Sequence, residues 1–260
     1  MKNTVRQVVV VLTVAITLVI NILADALPIN HLGTGTISDM FHVYFVPAGY
    51  VFSIWGLIYI GLIAYAIYQA LPAQRENPRL QSTGWWIALG GVANSAWIFL
   101  WHYELFTWTL VAMLLLLATL IVTYLQLGIG RTKVILSETW AVRVPFSIYL
   151  GWITVATVAN VSDVLSLHGN GWGVSPETWM VVVLAAVFVI ALLMNLSRRD
   201  IAYALVLLWA LAGIAVKFPN QAIVTVAVWT TFGLVALSLA AALLVRRTGG
   251  SMNAQDEESR

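Results

Sequence analysis

Long apolar runs, bounded by polar residues or by residues such as Gly and Pro, occupy most of the 260-residue chain. A helix rises about 1.5 Å per residue, so crossing a hydrocarbon core of roughly 30 Å takes about 20 mostly apolar residues. Measured against that length, the sequence predicts eight membrane-spanning helices, at 7–27, 48–71, 83–104, 108–128, 140–164, 178–196, 201–217 and 221–245. The connections are short, as at Phe218-Pro219-Asn220, where turn-forming residues interrupt the apolar pattern.

The amino-acid composition agrees with a membrane protein. Apolar residues make up 61% of the chain and charged residues only 9%, and the mean hydropathy is +0.90. Soluble domains carry about a quarter charged residues, and disordered chains combine low hydrophobicity with high charge, so both classes are excluded. The absence of cysteine excludes disulfide frameworks, iron–sulfur clusters and thiolate metal sites.

The basic residues collect on one side of the predicted bundle. Of the thirteen Lys and Arg residues, only Lys217 falls on the opposite side. The other twelve are Lys2, Arg6, Arg75, Arg79, Arg131, Lys133, Arg143, Arg198, Arg199, Arg246, Arg247 and Arg260. Because cytoplasmic loops carry the excess of Lys and Arg, we expect a multi-pass cell-membrane protein with both termini in the cytoplasm. This topology explains the net charge of +2, and no nucleic-acid partner is expected.

The first apolar run has two interpretations. Lys2 and Arg6 before it, and Ala24-Asp25-Ala26 after it, imitate a signal peptide with a small-residue cleavage site. The run from Val8 is longer than the usual apolar region of a signal peptide. An uncleaved first helix is therefore preferred.

Aromatic and polar side chains meet at one depth of the predicted membrane. Counted along the helices, Trp55, Asn94, Trp97, Trp152 and Ala156 fall within about two helical turns of one another. Flat indoles beside a small residue and a buried amide suit a large planar or hydrophobic ligand. Bulky helix packing is the alternative, because depth does not reveal how each helix is rotated about its axis.

The predicted outer face carries acidic residues and all the histidines. Asp25 and Asp163 lie at the outer ends of the first and fifth spans, where we expect capping or interfacial roles. The histidines are His31, His42, His102 and His168. No two of them have the i, i+3 or i, i+4 spacing that puts two metal ligands on one helix face. A polar rim is therefore expected, and no metal site.

Four motifs follow one another along residues 47–165. Residues 47–52 read P-A-G-Y-V-F and are followed by Trp55 and Tyr59, residues 94–97 read N-S-A-W, residues 108–111 read W-T-L-V, and residues 149–160 read Y-L-G-W-I-T-V-A-T-V-A-N. In the same order, they resemble four features of the TspO family. These are P-P-x-W-V-F followed by W-x-x-x-Y, then L-N-x-x-W, then the aromatic start of the fourth helix, and finally Y-L-A-W-x-x-F-A-T-x-L-N. This family comprises the tryptophan-rich sensory proteins, including the translocator protein (peripheral benzodiazepine receptor). The chain departs from the family at Tyr50, where the family has tryptophan, and at residues 162–164, where the family has W-R-x-N.

The resemblance implies an all-α polytopic membrane helix bundle with a TspO-like five-helix core in residues 1–165. The family has five spans, so residues 166–247 form a predicted three-helix C-terminal membrane extension, and residues 248–260 a disordered cytoplasmic tail. Family members bind porphyrins and other tetrapyrroles, sterols and synthetic aromatic drugs, and they commonly form homodimers. By matching position, the resemblance implies a lid over residues 28–46 and a ligand pocket lined by Trp55, Asn94, Trp97, Trp108, Trp152 and Ala156.

The expected function is binding of a hydrophobic aromatic ligand inside the membrane, as a sensor or carrier and without a cofactor. A secondary transporter of a small hydrophobic solute is the alternative, but the deep polar groups are mainly amides and no carboxylate is predicted at the midplane. A tetrapyrrole-degrading enzyme is the third hypothesis. The spans contain no nucleophile–base pair, metal motif or phosphate loop, so an enzyme is not expected.

Overall fold

Helices form the regular structure of the protein in the computed structural model, which describes residues 2–27, 29–167 and 174–258. No strand occurs in these residues. The helices are α1 (Lys2–Ala26), α2 (Thr34–Ser38), α3 (Ile54–Ala70), α4 (Pro78–His102), α5 (Phe106–Gln126), α6 (Leu136–Glu138), α7 (Val144–Leu167), α8 (Pro176–Arg198), α9 (Ile201–Lys217) and α10 (Ala222–Glu258). Short 3₁₀ turns lie at Ile29–His31, Gly49–Ser53 and Pro72–Gln74, and a π-helical turn at Thr139–Arg143 leads into α7. His168 lies outside the described residues.

Each predicted span coincides with one long helix. The agreement is closest for α9, whose observed bounds, Ile201–Lys217, are the predicted ones. Helix α10 continues beyond the predicted end of its span to Glu258, into the region that the sequence predicts as a disordered tail. The division of the chain into domains at residue 165 stays a prediction.

Six helical segments in the described part of the chain are both long and apolar enough to cross a membrane. They are Asn3–Ala26, Gly49–Ala70, Phe106–Gln126, Leu136–Leu167, Pro176–Arg198 and Ala222–Val245. Helix α9 is apolar but has only 17 residues, and α4 contains four tryptophans and Asn94, which lower its hydropathy. The protein is therefore a multi-pass helical membrane protein, and the number of eight crossings stays a prediction.

Five helices close into a ring. Helix α1 packs against α3 and α4, α4 packs against α5, α5 against α7, and α7 against α3. On the basic side of the bundle, Gln7 and Gln69 bind each other's backbone carbonyls, through Nε2–O distances of 2.6 and 3.1 Å. Buried amide pairs of this kind fix the position of one helix against another, because the hydrocarbon core offers them no other partner.

The three C-terminal helices join this ring through α9, which packs on α7. The buried carboxylate of Asp200, at the start of α9, is the polar centre of the joint. It accepts hydrogen bonds from the Tyr124 hydroxyl of α5 at 2.8 Å, the Ser147 hydroxyl of α7 at 2.6 Å and the Tyr203 amide at 3.1 Å. The sequence analysis did not single out Asp200, because a carboxylate before an apolar run resembles an ordinary helix cap.

At the opposite end, α9 touches the 3₁₀ turn that begins the α3 segment. The Ala48 amide donates to the Gly213 carbonyl at 3.2 Å. A Cβ added to Gly213 would stand 2.1 Å from Cγ2 of Val51, a fully buried and stiff side chain. Only glycine allows this close approach.

We therefore expect Gly213→Ala to lower the free energy of unfolding by about 1–3 kcal/mol, the usual effect of overpacking. Gly233→Ala is the matched control, because nothing lies within 4 Å of its added Cβ. Replacing this helical glycine with alanine should stabilise the protein by about 0.5–1 kcal/mol. Thermal unfolding in detergent measures both, and equal effects of the two substitutions would contradict the contact between α9 and Val51.

Candidate ligand-binding site

A small cavity lies inside the five-helix ring, beneath the loop between α1 and α3. Its volume is about 50 Å³. Five of the six residues that the sequence predicts for the pocket line it together: Trp55 from α3, Asn94 and Trp97 from α4, and Trp152 and Ala156 from α7. The other lining residues are Thr34, Ser38, Pro47, Phe52, Trp101, Met113, Leu116, Ile153, Val155, Ala159, Asn160 and Asp163.

Trp108 is the predicted pocket residue that the structure does not bring to this cavity. It lies in the first turn of α5, and its side chain is 63% exposed on the surface of the bundle. The resemblance that assigned Trp108 compares sequence positions. Successive side chains in one helical turn point in different directions around the axis, so a matching position does not show which way a side chain faces. In this chain, Trp108 faces outward.

Trp101 lines the cavity, whereas Trp108 does not. The sequence analysis does not include Trp101 in the pocket, because a tryptophan near a helix end is typical of the membrane surface. The structure instead buries it, with 3% of its side chain exposed, and stacks it on Trp97 with ring centroids 5.2 Å apart. Trp101 follows Trp97 by four positions, so both lie on one face of α4. This i, i+4 spacing is the sequence signal that could have placed Trp101 in the pocket.

The aromatic rings line the cavity from two sides. On one side Trp55 and Trp152 meet edge to face, with centroids 6.3 Å apart and an interplanar angle of 83°. Phe52 makes a similar contact with Trp152 at 5.7 Å. On the other side stands the Trp97–Trp101 stack. Both geometries are the favourable ones for aromatic pairs.

The Asn94 amide is already hydrogen-bonded within the protein. Its Oδ1 accepts from Asn21 Nδ2 of α1 at 2.6 Å, and its Nδ2 donates to the Tyr149 hydroxyl of α7 at 3.1 Å. Asn160 is used in a similar way, accepting from Trp97 Nε1 at 3.3 Å and donating to the Thr109 hydroxyl at 2.9 Å. Both amides therefore join helices of the ring, and the Asn94 amide already has hydrogen-bond partners within the protein.

Two other polar atoms of the cavity have no partner. The indole nitrogen Nε1 of Trp152 and the carboxylate oxygen Oδ1 of Asp163 are buried and make no hydrogen bond. Both residues, with Ala156 and Ala159 between them, belong to one stripe of α7 that faces the cavity. Leaving such groups unpaired costs about 1–3 kcal/mol each, so they mark the positions where a ligand gains most from polar contact.

The structure corrects the expectation for Asp163. The sequence analysis gives it a capping or interfacial role near the outer end of its span, whereas only 2% of the residue is exposed. Helix α7 continues past Asp163 to Leu167. Asp163 is therefore still a helical residue, and its side chain lies on the face of α7 that lines the cavity. Asp25, the other acid of this prediction, is exposed and accepts a hydrogen bond from the Thr34 hydroxyl at 3.0 Å.

The segment between α1 and α3 covers the outer end of the cavity, as a lid would. Thr34 and Ser38 line the cavity from α2, and Trp101 Nε1 donates to the Thr34 carbonyl at 3.1 Å. Asn30 and His31 have positive φ angles of 56° and 64°, and Asn30 Nδ2 donates to the His102 carbonyl at 3.1 Å. The histidines of the segment do not reach the cavity, and no group of three or more potential metal ligands occurs in the described residues.

These features define a class: a multi-pass helical membrane protein whose helices enclose a tryptophan-lined cavity. The chain belongs to the TSPO-like protein family, which it matches over residues 7–243. The matched range includes α8, α9 and most of α10, the helices for which the sequence resemblance offered no counterpart. No curated protein and no solved structure matches the chain.

The hydrogen bonds of Asn94 lead to a stability prediction. Asn94→Leu removes one acceptor from the Asn21 amide, which keeps its bond to the Thr17 carbonyl, and takes away the donor to the Tyr149 hydroxyl. We expect it to lower the free energy of unfolding by about 1–2 kcal/mol. Ser95→Ala is the control on the next residue, because its hydroxyl bonds only to the Gly91 carbonyl of the same helix.

A double-mutant cycle of Asn21→Leu and Asn94→Leu, followed by thermal unfolding in detergent, measures the contact itself. We expect a coupling energy of about 0.6 kcal/mol or more. Strictly additive effects would mean that the two amides do not interact.

Proposed function

We propose that this protein binds a hydrophobic aromatic ligand in the tryptophan-lined cavity and acts as a sensor or carrier of that ligand. The ligand class is a tetrapyrrole such as a porphyrin, or a sterol-like molecule. The observation that carries the proposal is that Trp55, Trp97 and Trp152, predicted from depth and motif, line one common cavity. That space also contains an unpaired donor on Trp152 and an unpaired acceptor on Asp163.

The chemistry of the lining fits such a ligand. Indole rings offer large rigid faces for stacking, and Ala156 and Ala159 leave room beside them. No Lys, Arg or His side chain lines the cavity in the described residues. A flat apolar molecule with a hydrogen-bonding edge therefore matches the site better than a soluble metabolite does.

The cavity must open to admit this ligand. Ligand sites usually measure about 300–1,000 Å³, and the closed cavity measures about 50 Å³, enough for only a few water molecules. The lid is held by few polar links, among them the Trp101–Thr34 hydrogen bond and the exposed ion pair between Lys217 and Asp39 at 2.5 Å. Exposed ion pairs contribute about 0–1 kcal/mol, so movement of the lid is the cheapest way to open the cavity.

The membrane arrangement belongs to the same proposal. The protein crosses the cell membrane eight times with both termini in the cytoplasm, retains its first helix and works as a homodimer, with no catalytic role. Retention of α1 is supported by its packing in the ring: Val10 is fully buried, and Gln7 bonds to Gln69 of α3. Residues 1–165 form the ligand-binding unit, and residues 166–247 support it through α9.

A secondary transporter of a small hydrophobic solute is the second candidate, and Asp163 is the observation that favours it. A buried carboxylate facing a cavity is a common feature of proton-coupled carriers. In proteoliposomes, proton-coupled flux that Asp163→Asn abolishes while ligand binding persists would support transport. Binding without any flux would support the sensor.

The indole nitrogen of Trp152 leads to a binding prediction. Trp152→Phe keeps an aromatic ring but removes the unpaired donor, and we expect the affinity for protoporphyrin to fall about fivefold, the value of one hydrogen bond. Titration of the purified protein, followed by quenching of tryptophan fluorescence, measures the dissociation constant. Trp108→Phe is the control, and an affinity lost equally in both variants would contradict binding in the cavity.

The carboxyl group of Asp163 leads to a prediction about the polar edge of the ligand. Its Oδ1 is buried without a hydrogen-bond partner, so a bound ligand can supply that partner. We expect Asp163→Leu to lower the affinity for protoporphyrin about fivefold, the value of one hydrogen bond. Asp25→Leu, which replaces an exposed acid outside the cavity, should leave the affinity unchanged. An Asp163→Leu variant that binds protoporphyrin as tightly as the unchanged protein would contradict a polar edge at this residue.

A further inference from the structure

A second and much larger concavity lies on the outside of the bundle, where α9 crosses α7 and the beginning of α3. It has a volume of about 910 Å³. Its walls are apolar and include Leu57 from α3, Ile148 from α7, and Leu205 and Trp209 from α9. Leu57, Leu205 and Trp209 are all exposed, so this groove opens toward the surrounding lipid.

One end of the groove is basic. Lys133, Arg143, Arg198 and Arg199 line this end, although they come from three separate segments: the loop after α5, the π-helical turn before α7 and the junction of α8 with α9. Gly130, with a φ of +76°, allows the loop to meet the end of α8, because an added Cβ would stand 2.2 Å from the Arg198 carbonyl oxygen. Arg198 Nη1 in turn donates to the Ile129 carbonyl at 3.2 Å.

These four cations are not neutralised by ion pairs in the described structure. The one acid among the groove's lining residues, Asp200, is occupied by the Tyr124 and Ser147 hydroxyls and the Tyr203 amide.

Arg143 is the most constrained of the four. Only 6% of the residue is exposed, its two Nη atoms donate to the carbonyl and hydroxyl oxygens of Thr132, and its Nε is buried without a partner. The Glu138 carboxylate acts on Arg143 through its charge but is already paired with Arg79, and a buried guanidinium without an ion pair of its own is costly. The basic end of the groove is therefore built to receive a negative charge.

The length of the groove matches one leaflet of a bilayer. From Asp200 to Trp209 the wall of α9 extends about 14 Å, at about 1.5 Å per residue. This is close to half of a hydrocarbon core of roughly 30 Å. An occupant with its charge at Arg143 and Arg199 would thus lay its apolar part along Leu205 and Leu57 to the middle of the membrane.

We propose that this groove binds an anionic phospholipid of the leaflet on the basic side of the bundle. The phosphate lies at the basic end, and an acyl chain lies against the apolar wall of α9. A free phosphate ion would use the basic end but leave the apolar walls without a partner, whereas the lipid uses both. None of the groove's lining residues lines the tryptophan cavity. The lipid proposal can therefore be tested independently of the proposed function.

The test is native mass spectrometry of the full-length, delipidated protein with dioleoylphosphatidylglycerol or dioleoylphosphatidylcholine, which differ only in the headgroup. We expect the anionic lipid to bind about tenfold tighter or more, since each Lys or Arg near the headgroup favours it about fivefold. The double substitution Lys133→Gln and Arg199→Gln, at two exposed positions, should remove most of this preference. Arg131→Gln, exposed on the same loop but outside the groove, is the control and should retain it.

Two further arms separate the groove from other sources of binding. Leu205→Trp fills the apolar wall and should weaken the anionic lipid, whereas Leu237→Trp, on the exposed face of α10, should not. Excess inorganic phosphate should fail to displace the lipid. Equal binding of the two lipids, an equal loss in Arg131→Gln, or displacement by phosphate would each overturn the proposal. Arg143→Gln should also weaken the anionic lipid, and the exposed double variant keeps the test valid if Arg143 proves necessary for folding.

Discussion

Because the hydrocarbon core of a membrane contains no water, a polar side chain between helices must find its partner on another helix. This requirement determines how the ring is assembled. Asn94 of α4 bonds to Asn21 of α1 and to Tyr149 of α7, which fixes three helices around one point. Asp200 does the same for α5, α7 and α9 on the basic side. The cavity exists where the helices held by these links leave the indole rings incompletely packed.

The same requirement separates structural polar groups from those available to a ligand. The Asn94 and Asn160 amides are satisfied by neighbouring helices, so they support the walls of the cavity. Trp152 and Asp163 have polar atoms that the protein leaves unpaired. The two sites also differ in their lining, since the cavity has one acidic side chain and no basic one, and the outer groove is lined by four cations. They are therefore suited to different molecules.

The sequence predicted the helices well and the cavity in part. Long apolar runs between polar residues identify helices, which is why the bounds of α9 were correct. Depth along a helix also follows from counting, and it brought Trp55, Asn94 and Trp152 to one level. Rotation about the helix axis does not follow from it, because helices such as α4 and α7 are apolar on every side. Thus Trp108 was assigned to the pocket although it faces outward, and the burial of Trp101 was missed.

The central claim is that the five-helix ring opens to bind a flat aromatic molecule between the tryptophans. A structure determined with bound protoporphyrin tests this most directly. The account predicts a macrocycle between Trp55 and Trp152 on one side and the Trp97–Trp101 stack on the other, with the lid, which contains α2, displaced. A porphyrin on the lipid-facing surface, with the cavity still closed around its present volume of about 50 Å³, would contradict it.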